Sequence, residues 1–431
     1  MAAAINGNDG KQNIVGKPVL LDKIGGSTDT INAAVLIPRQ DAVISVSDDK
    51  TMKVWLKRDT GQYWPSICQI LPSEVSAVNY SPETRGLFVG QDNGTITEFE
   101  LTEDYNRIFH RRDYIAHQGR VMAVKFSATH ELVLSCSRDK YFMWHCTETG
   151  RRLCGFHAPA ACLCVAFDEQ SKYAFVGDSS GNIHILHLKE SSFDVVATLR
   201  GHSVRLLHFR RDLAKFPTSG VSALRMLVGP GSIRCLTWDP ENQLLFSGSF
   251  DQSVIVWDIG GKRGTTYELQ GHSSSIQGLA HARTAHQLVT GCDDSLLGVW
   301  DMKVKRTETP AWAESSVCQK CGSPFFWNVR KMWTDKKVGM RQHHCRRCGH
   351  ALCHACCHKL SAIPLMGYEH PVRVCDGCFE EITPEQKLPQ ATFHDMKHSI
   401  TYIDLDETQK ILLTTGSDNV MKIWDMSSVL H

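Results

Sequence analysis

The sequence predicts a mainly β protein, a seven-bladed β-propeller with a small cysteine-rich domain inserted in its sixth blade. Three observations lead to this prediction. Apolar runs that end in Trp-Asp recur along the chain, most of these runs are spaced about one propeller blade apart, and a dense cysteine cluster occupies the longest interval.

Composition sets the outer limits of this prediction. The chain has 431 residues, of which 42% are hydrophobic, enough for one large and one small domain. It carries 47 basic and 46 acidic residues, so any strongly charged surface must be local rather than global. Residues 1–16 lack the pattern of a signal peptide, and no apolar run reaches membrane-spanning length. We therefore expect a cytoplasmic protein.

The repeat is clearest in the second half of the chain. Trp257-Asp258, Trp300-Asp301 and Trp424-Asp425 end the runs VIVWD, LLGVWD and MKIWD. With weaker copies included, the terminal positions are 55, 99, 144, 186, 257, 300 and 424. Four of the six intervals are 42–45 residues long, and turn motifs such as SDDK and QDNG lie between the short strands.

These motifs resemble the WD40 repeat family, whose members fold as β-propellers, usually of seven blades. The resemblance implies blades 1–6 within residues 17–310 and the last propeller strands within residues 386–431, after a flexible N-terminus at residues 1–16. The run VLLDKI near the N-terminus would supply the outer strand of blade 7. Closing the ring in this way leaves only short, protected edges.

Two intervals are too long for one blade. The first contains an extra segment at residues 203–230, which is basic and has some apolar residues. We expect a tolerated surface loop in blade 5, with membrane or partner contact as the alternative. The second long interval contains the small domain at residues 311–385, before the last blade.

Four Cys-x2-Cys pairs define the small domain. They predict eight thiolate ligands, enough to close two tetrahedral zinc sites without an open position. The eight cysteines are Cys318, Cys321, Cys345, Cys348, Cys353, Cys356, Cys375 and Cys378. Cys357 has no partner pair. Spacing alone leaves open whether the pairs combine sequentially or interleave.

The segment from Arg341 to Gly349, RQHHCRRCG, resembles the FYVE zinc-finger signature, and Arg373-Val374-Cys375 resembles its second basic motif. The resemblance implies interleaved zinc ligands and a site for phosphatidylinositol 3-phosphate. The residues it implies for the lipid headgroup are Arg341, His343, His344, Arg346 and Arg373. Val338, Gly339 and Met340 occupy the place of a loop that inserts into the bilayer.

Three further expectations concern affinity. Gln342 stands where the family has a second basic residue, and the family's W-x-x-D motif reads Trp312-Ala313-Glu314-Ser315, without the aspartate. Both differences predict a lower affinity for the lipid. Because only a protonated imidazole adds attraction, we also expect tighter membrane binding near pH 6 than near pH 8.

As a whole, the chain resembles the WD-repeat and FYVE domain-containing proteins. This resemblance implies a peripheral adaptor on early endosomes in trafficking and signalling. Its propeller would dock protein partners, with signalling kinases such as Akt or atypical protein kinase C as candidates. The alternative is a RING-like ubiquitin ligase that uses the zinc module. The small net charge disfavours nucleic acid as a partner.

We expect no enzymatic activity and no small-molecule substrate. His272, Asp294 and Trp300 contain the residue types of a hydrolase, but equivalents recur at repeat spacing, for example Asp251 with Trp257. Recurrence favours a structural hydrogen-bond network, since a catalytic triad is needed only once. Motifs for phosphate-binding loops and zinc proteases are also absent from the sequence.

Overall fold

A computed structural model describes residues 16–202, 231–260, 266–308 and 310–431. These residues form a seven-bladed β-propeller and a small zinc-finger domain, which confirms the predicted fold class. The extra segment at residues 203–230 lies outside the described residues, as does the predicted N-terminal segment except for its last residue.

Each blade contains an antiparallel sheet of four strands, which follow one another from the centre of the ring outwards. Blade 1 comprises β2 (Ile31–Leu36), β3 (Ala42–Ser47), β4 (Thr51–Lys57) and β5 (Tyr63–Ile70). Blade 2 comprises β6 (Val75–Ser81), β7 (Gly86–Gln91), β8 (Thr95–Leu101) and β9 (Ile108–Ile115). Blade 3 comprises β10 (Val121–Ser127), β11 (Leu132–Ser137), β12 (Tyr141–Cys146) and β13 (Arg152–His157).

Blades 4–6 follow the same plan. Blade 4 comprises β14 (Cys162–Asp168), β15 (Tyr173–Asp178), β16 (Asn182–Leu188) and β17 (Phe193–Arg200). Blade 5 comprises β18 (Ile233–Asp239), β19 (Leu244–Ser249), β20 (Ser253–Asp258) and β21 (Tyr267–Gln270). Blade 6 comprises β22 (Ile276–Ala282), β23 (Gln287–Cys292), β24 (Leu296–Asp301) and, after the zinc domain, β29 (Ala391–Asp395).

Blade 7 joins the two ends of the described chain. It comprises β30 (Ile400–Asp406), β31 (Ile411–Gly416), β32 (Val420–Asp425) and the N-terminal strand β1 (Val19–Gly25). β1 pairs antiparallel with β32, from Val19 opposite Asp425 to Gly25 opposite Val420. The inner strands contact one another around the ring, and β30 lies beside β2. The propeller is therefore closed by non-local strand pairing.

Recurrent polar residues hold the strands of a blade together. In blade 5, the Trp257 indole donates to the Ser247 hydroxyl (2.8 Å), which also lies 2.7 Å from Nε2 of His202. Nδ1 of His202 lies 3.1 Å from Asp251. Thr290 in blade 6 and Thr414 in blade 7 take the place of Ser247. The same arrangement therefore recurs in three blades. This recurrence indicates a structural hydrogen-bond network, because a catalytic site is needed only once.

Blades 2 and 4 lack the terminal tryptophan but keep an apolar side chain in its place. Phe99 and Leu186 are both buried. The packing role of the tryptophan is thus preserved in these blades by other large apolar residues, which explains why the weaker sequence repeats still form complete sheets.

The zinc domain contains two short helices and four short strands. The helices are α1 (Val329–Asp335) and α2 (Asp376–Glu381). The strands are β25 (His343–His344), β26 (Ala351–Leu352), β27 (Lys359–Ile363) and β28 (Tyr368–Val374). Short 3-10 turns span His354–Cys356, Pro364–Met366 and Glu385–Lys387.

The zinc domain enters the chain between two strands of blade 6 but packs on blade 5. β28 pairs in parallel with β21 at Gln270 and Tyr368, so β27 and β28 extend the blade 5 sheet to six strands. The N–H of Gln270 donates to the carbonyl of Gly367 (2.8 Å), and the N–H of Thr307 donates to the carbonyl of Leu365 (3.0 Å). We call this contact the blade 5 seam.

Within the described residues, no helix is both long and apolar enough to cross a membrane.

Candidate functional site

Two of the four cysteine pairs lie in tight turns of the same construction. In each turn the first cysteine accepts a backbone hydrogen bond from the glycine four residues later, Gly322 to Cys318 and Gly349 to Cys345, both at 2.8 Å. Both glycines have a positive φ, 71° and 75°, which suits a residue without Cβ. The repeated Cys-x2-Cys-Gly sequence thus produces two turns that each present a pair of thiolates.

The other two pairs lie on short helical turns. Cys353 precedes the 3-10 turn that contains Cys356, and Cys375 is the N-cap residue of α2, which contains Cys378. A spacing of three residues places both sulfurs on one side of such a turn. Each pair can therefore face a metal that a Cys-x2-Cys-Gly turn holds from the other side.

The structure combines the pairs in an interleaved order. One group contains Cys318, Cys321, Cys353 and Cys356, and the other contains Cys345, Cys348, Cys375 and Cys378. Within each group the sulfurs lie within 4.8 Å of one another. Tetrahedral Zn–S bonds of about 2.3 Å need sulfurs about 3.8 Å apart, so both groups fit a closed Zn²⁺ site. Cys357 is buried and belongs to neither group.

The predicted headgroup residues converge beside the second cysteine group. The N–H of Arg346 donates to the carbonyl of Arg373 (3.0 Å), which joins the two basic motifs through their backbones. The Arg346 guanidinium donates to the carbonyl of His344 (3.1 Å), and that of Arg373 donates to the carbonyl of Cys357 (3.2 Å). These bonds hold both guanidinium groups in position beside the second cysteine group.

His343 lies at the centre of this basic cluster. The pKa of His343 is lowered to about 4. Burial is the largest cause, and the positive charges of the neighbouring Arg373, Arg341, His354 and Arg346 add to it. His343 is therefore neutral between pH 6 and pH 8 in the lipid-free protein. The expected preference for pH 6 over pH 8 is not supported at this residue, because its neighbours oppose a further positive charge.

His344 is held in place by contacts on several sides. Its ring stacks on Trp312, with centroids 4.8 Å apart and planes at 15°, and its Nε2 lies 3.1 Å from the carbonyl oxygen of Ala313. Gln342 Nε2 lies 3.3 Å from the same ring nitrogen. Gln342, which stands where the family has a basic residue, thus lies against a histidine of the predicted headgroup site.

The three residues predicted to insert into a bilayer differ in their exposure. Val338 is 81% exposed, but Gly339 is buried and Met340 is partly buried against the core of the zinc domain. The N–H of Met340 donates to the carbonyl of Pro324 (2.8 Å). Gly339 and Met340 therefore form the base of the loop, and Val338 is the exposed residue of the three.

Two residues that were not predicted from the sequence lie beside the predicted headgroup residues. Trp312 belongs to the motif that lacks its aspartate, and the Arg346 guanidinium lies over its ring, with Cζ 4.8 Å from the centroid. His354 lies inside a Cys-x2-Cys pair, and its ring is 6.0 Å from that of His343. The position of His354 next to a zinc ligand is the signal that could have revealed it.

Comparison with known proteins identifies both parts of the chain. The model of the FYVE zinc finger matches residues 311–384. The model of the WD domain, G-beta repeat, matches residues 110–144, 221–258, 263–301 and 388–425. Together with the two cysteine groups, the FYVE match shows that the protein is a zinc protein that takes two ions.

Relatives match over nearly the whole chain. Human WD repeat and FYVE domain-containing protein 2 is 48% identical over 96% of this chain and 97% of its own length. Mouse WD repeat and FYVE domain-containing protein 1 is 45% identical over 96% of this chain and 94% of its own length.

A solved structure supports the fold alone. The WD40 β-propeller domain of Doa1 has a TM-score of 0.56 and 15% identity, and the match covers 95% of this chain and 97% of that one. With the two matched family models and relatives that align almost end to end, the chain belongs to the WD repeat and FYVE domain-containing proteins.

Proposed function

We propose that this protein is a phosphatidylinositol 3-phosphate-binding adaptor that lies at the periphery of early endosomal membranes. The FYVE domain binds the lipid headgroup through Arg341, His343, His344, Arg346 and Arg373, and the propeller docks protein partners. Two closed zinc sites hold the basic residues in position, and no step of this function requires bond-making chemistry.

One observation carries the lipid assignment. His343 is surrounded by Arg373, Arg341, His354 and Arg346, and burial, followed by these positive charges, lowers its pKa. Such a cluster suits a ligand with several negative oxygens, and arginine forks match phosphate geometry. Phosphatidylinositol 3-phosphate offers two phosphate groups and ring hydroxyls, so it can use charged and neutral donors together.

The proposed adaptor role follows from how the two domains are joined. At the blade 5 seam, strand β28 carries Arg373 at one end and pairs with the propeller at the other, at Tyr368. Lipid capture by this strand also orients the propeller on the membrane. The propeller then presents its surface to partners at a set angle, and signalling kinases are the first partners to test.

Vesicle binding tests the lipid assignment directly. The full chain should bind vesicles that contain phosphatidylinositol 3-phosphate more tightly than vesicles with other phosphoinositides. Arg346→Ala should reduce this binding about tenfold or more, because it removes a charged hydrogen-bond donor from the site. Binding that is indifferent to the position of the phosphate, or that is unchanged in Arg346→Ala, would overturn the assignment.

Arg347→Ala provides a matched control. Arg347 also adjoins a zinc-ligand cysteine, but its guanidinium contacts Glu381 at 2.5 Å and the carbonyl of Cys378 at 3.4 Å instead of facing the cluster. This variant should bind the lipid like the wild type. The comparison separates loss of a headgroup contact from loss of one positive charge. The alternative of a RING-like ligase gives no reason for a basic cluster of this kind.

A further inference from the structure

We propose that blade 6 of the propeller contains a third metal site, in which His272, Cys292 and Asp294 bind one exchangeable Zn²⁺ or a similar divalent transition-metal ion. These residues lie outside the FYVE domain, so the inference does not depend on the proposed lipid binding. Their ligand atoms, one from each residue, lie within 4.8 Å of one another. Imidazole nitrogen, thiolate sulfur and carboxylate oxygen are all ligands of zinc in proteins.

Blade 6 differs from blade 5 at two positions around this histidine. In blade 5 the aspartate of the network is flanked by Ser249 and Ser253, and the Ser253 hydroxyl lies 3.4 Å from Nδ1 of His202. The corresponding residues of blade 6 are Cys292 and Leu296. Blade 6 thus lacks the hydroxyl beside its imidazole and has a thiol in place of the other serine.

The hydrogen bonds of His272 determine which ring nitrogen carries a lone pair. Nε2 lies 2.7 Å from the hydroxyl of Thr290, which itself donates to the carbonyl of Gly298 (3.3 Å) and accepts from the Trp300 indole (3.0 Å). Nε2 is therefore the donor, and Nδ1 of the neutral ring has a lone pair. Among the described residues Nδ1 has no hydrogen-bond partner, although His272 is only 6% exposed.

The Asp294 carboxylate lies near the same lone pair. Its Oδ1 is 3.6 Å from Nδ1 of His272, whereas Asp251 is 3.1 Å from Nδ1 of His202 in blade 5. Two acceptors this close repel each other unless a proton or a cation lies between them. Ligands of a tetrahedral zinc ion lie about 3.3–3.8 Å apart, so the separation in blade 6 suits an ion better than a hydrogen bond.

Backbone donors hold the carboxylate and contact the sulfur. The N–H and the hydroxyl of Ser273 donate to Oδ2 of Asp294 (2.8 and 3.0 Å), and the N–H of Leu296 donates to Oδ1 (3.0 Å). These three bonds leave one lone-pair position of the carboxylate for a metal. The N–H of Asp294 lies 3.5 Å from the sulfur of Cys292, and a backbone N–H contacts the zinc ligand Cys345 in the same way (3.3 Å). Such supporting bonds are typical of metal ligands.

Blade 7 shows what the thiol adds. Nδ1 of His398 lies 3.4 Å from Asp418 and also has no hydrogen-bond partner in the described part of the chain. Gly416 stands there in the position of Cys292, so this blade offers no third ligand. The site in blade 6 has three protein ligands and one open position, unlike the closed sites of the FYVE domain. We therefore expect its ion to exchange while the two FYVE zinc ions stay bound.

Cobalt binding by the full chain tests the site. Brief treatment with a weak chelator should leave the two FYVE zinc ions, after which the chain is equilibrated with Co²⁺. We expect one Co²⁺ per chain, a thiolate-to-cobalt charge-transfer absorption band, and displacement by Zn²⁺. Cys292→Ser gives blade 6 the serine of blade 5. It should abolish the band and weaken Co²⁺ binding about tenfold or more, because even a lost supporting bond has an effect of this order.

Cys136→Ser is the matched control. Cys136 is fully buried in blade 3 and, within the described residues, belongs to no group of metal-ligating side chains. This variant should bind Co²⁺ like the wild type. Equal loss of binding in the two variants would overturn the site, because removal of any buried thiol would then have the same effect.

A measurement on the wild type alone makes the test independent of how the variants fold. Added Zn²⁺ should slow amide hydrogen exchange in β23, in β24 and in the turn at Ser273, because an ion that binds only the folded blade stabilises it. Exchange in the FYVE domain, whose sites are already filled, should stay the same. Unchanged exchange in blade 6, or a wild type without the thiolate-to-cobalt band, would refute the proposal.

Discussion

Gln270 and Tyr368 are neighbours in one β-sheet, although 97 residues separate them and they belong to different domains. Their pairing extends the outer strand of blade 5 into the FYVE domain. A domain inserted in blade 6 is thereby mounted on blade 5. The orientation of the headgroup site therefore depends on the integrity of the blade 5 seam.

Gly367→Ala should disrupt this mounting. Gly367 has a φ of 87°, and a Cβ there would lie 1.9 Å from the carbonyl oxygen of Glu268. We expect faster amide hydrogen exchange in β21 and β28 and a loss of stability of more than about 2 kcal/mol, since steric overlap adds to backbone strain.

Gly61→Ala is the control for backbone strain. Gly61 has a similar φ of 82°, but nothing lies within 4 Å of its Cβ position. The substitution should lower the free energy of unfolding by about 1–2 kcal/mol and leave amide hydrogen exchange in β21 and β28 unchanged. Equal effects of the two substitutions would show that the close approach at the seam does not matter.

Glu369 should make stability depend on pH. Burial raises its pKa to about 7, although the N–H of Gln390 and the charge of Arg306 both favour the ionised form. Between about pH 4.5 and pH 7 the folded protein retains a proton that the unfolded chain has released. Stability from this group therefore increases as the pH falls through that window and is lowest above pH 7.

Glu369→Gln removes this titration while keeping an acceptor for Gln390. We expect the difference in Tm between pH 6 and pH 8 to shrink relative to the wild type, with most of the gain at pH 8. Glu241→Gln alters an exposed carboxylate in blade 5 and should leave the difference as it is. A pH dependence that survives Glu369→Gln would contradict the prediction.

Removal of zinc should unfold the FYVE domain and leave the propeller folded. Thiolate ligands contribute most of the folding free energy in so small a domain. Cys348→Ser should therefore lower the zinc content from two ions per chain and expose β28 to hydrogen exchange, whereas strands of blades 1–4 should stay protected. Metal analysis and exchange on the same sample provide the measurement.

Cys357→Ala serves as the control for cysteine removal. Cys357 adjoins the ligand Cys356 but lies outside both groups, so the variant should retain two zinc ions. Loss of zinc from this variant would mean that the ligand set differs from the one described.

Trp312→Ala should weaken headgroup binding although the indole carries no charge. Its ring stacks on His344 and lies under Arg346, so both side chains lose a surface that orients them. We expect a loss of about 1 kcal/mol, or about fivefold in Kd, for the soluble headgroup. Trp312→Phe should recover part of it.

Trp64→Ala is the appropriate control, because Arg58 lies 4.7 Å from the centroid of the Trp64 ring on blade 1. This variant removes the same kind of arginine–tryptophan contact at a position distant in sequence from the FYVE domain. If both variants bind the headgroup equally well, Trp312 has no positioning role.

Local patterns in the sequence were sufficient for much of this protein. Trp257-Asp258 and its equivalents revealed the blades, because each strand and its turn depend on nearby residues. The Cys-x2-Cys pairs revealed the zinc domain for the same reason, since two residues determine how a tight turn presents its sulfurs. The family signature around Cys345 then indicated which basic residues meet.

Contacts between distant segments were decided only by the tertiary structure. The pairing of Gln270 with Tyr368, the stacking of Trp312 on His344 and the burial of Gly339 and Met340 depend on which surfaces meet after each unit has folded. Backbone hydrogen bonds of a strand edge can be satisfied by many partners, and no residue in β21 or β28 specifies the other. The amino-acid sequence therefore determined the modules and their chemistry, whereas packing determined how the lipid site, its loop and the propeller are oriented.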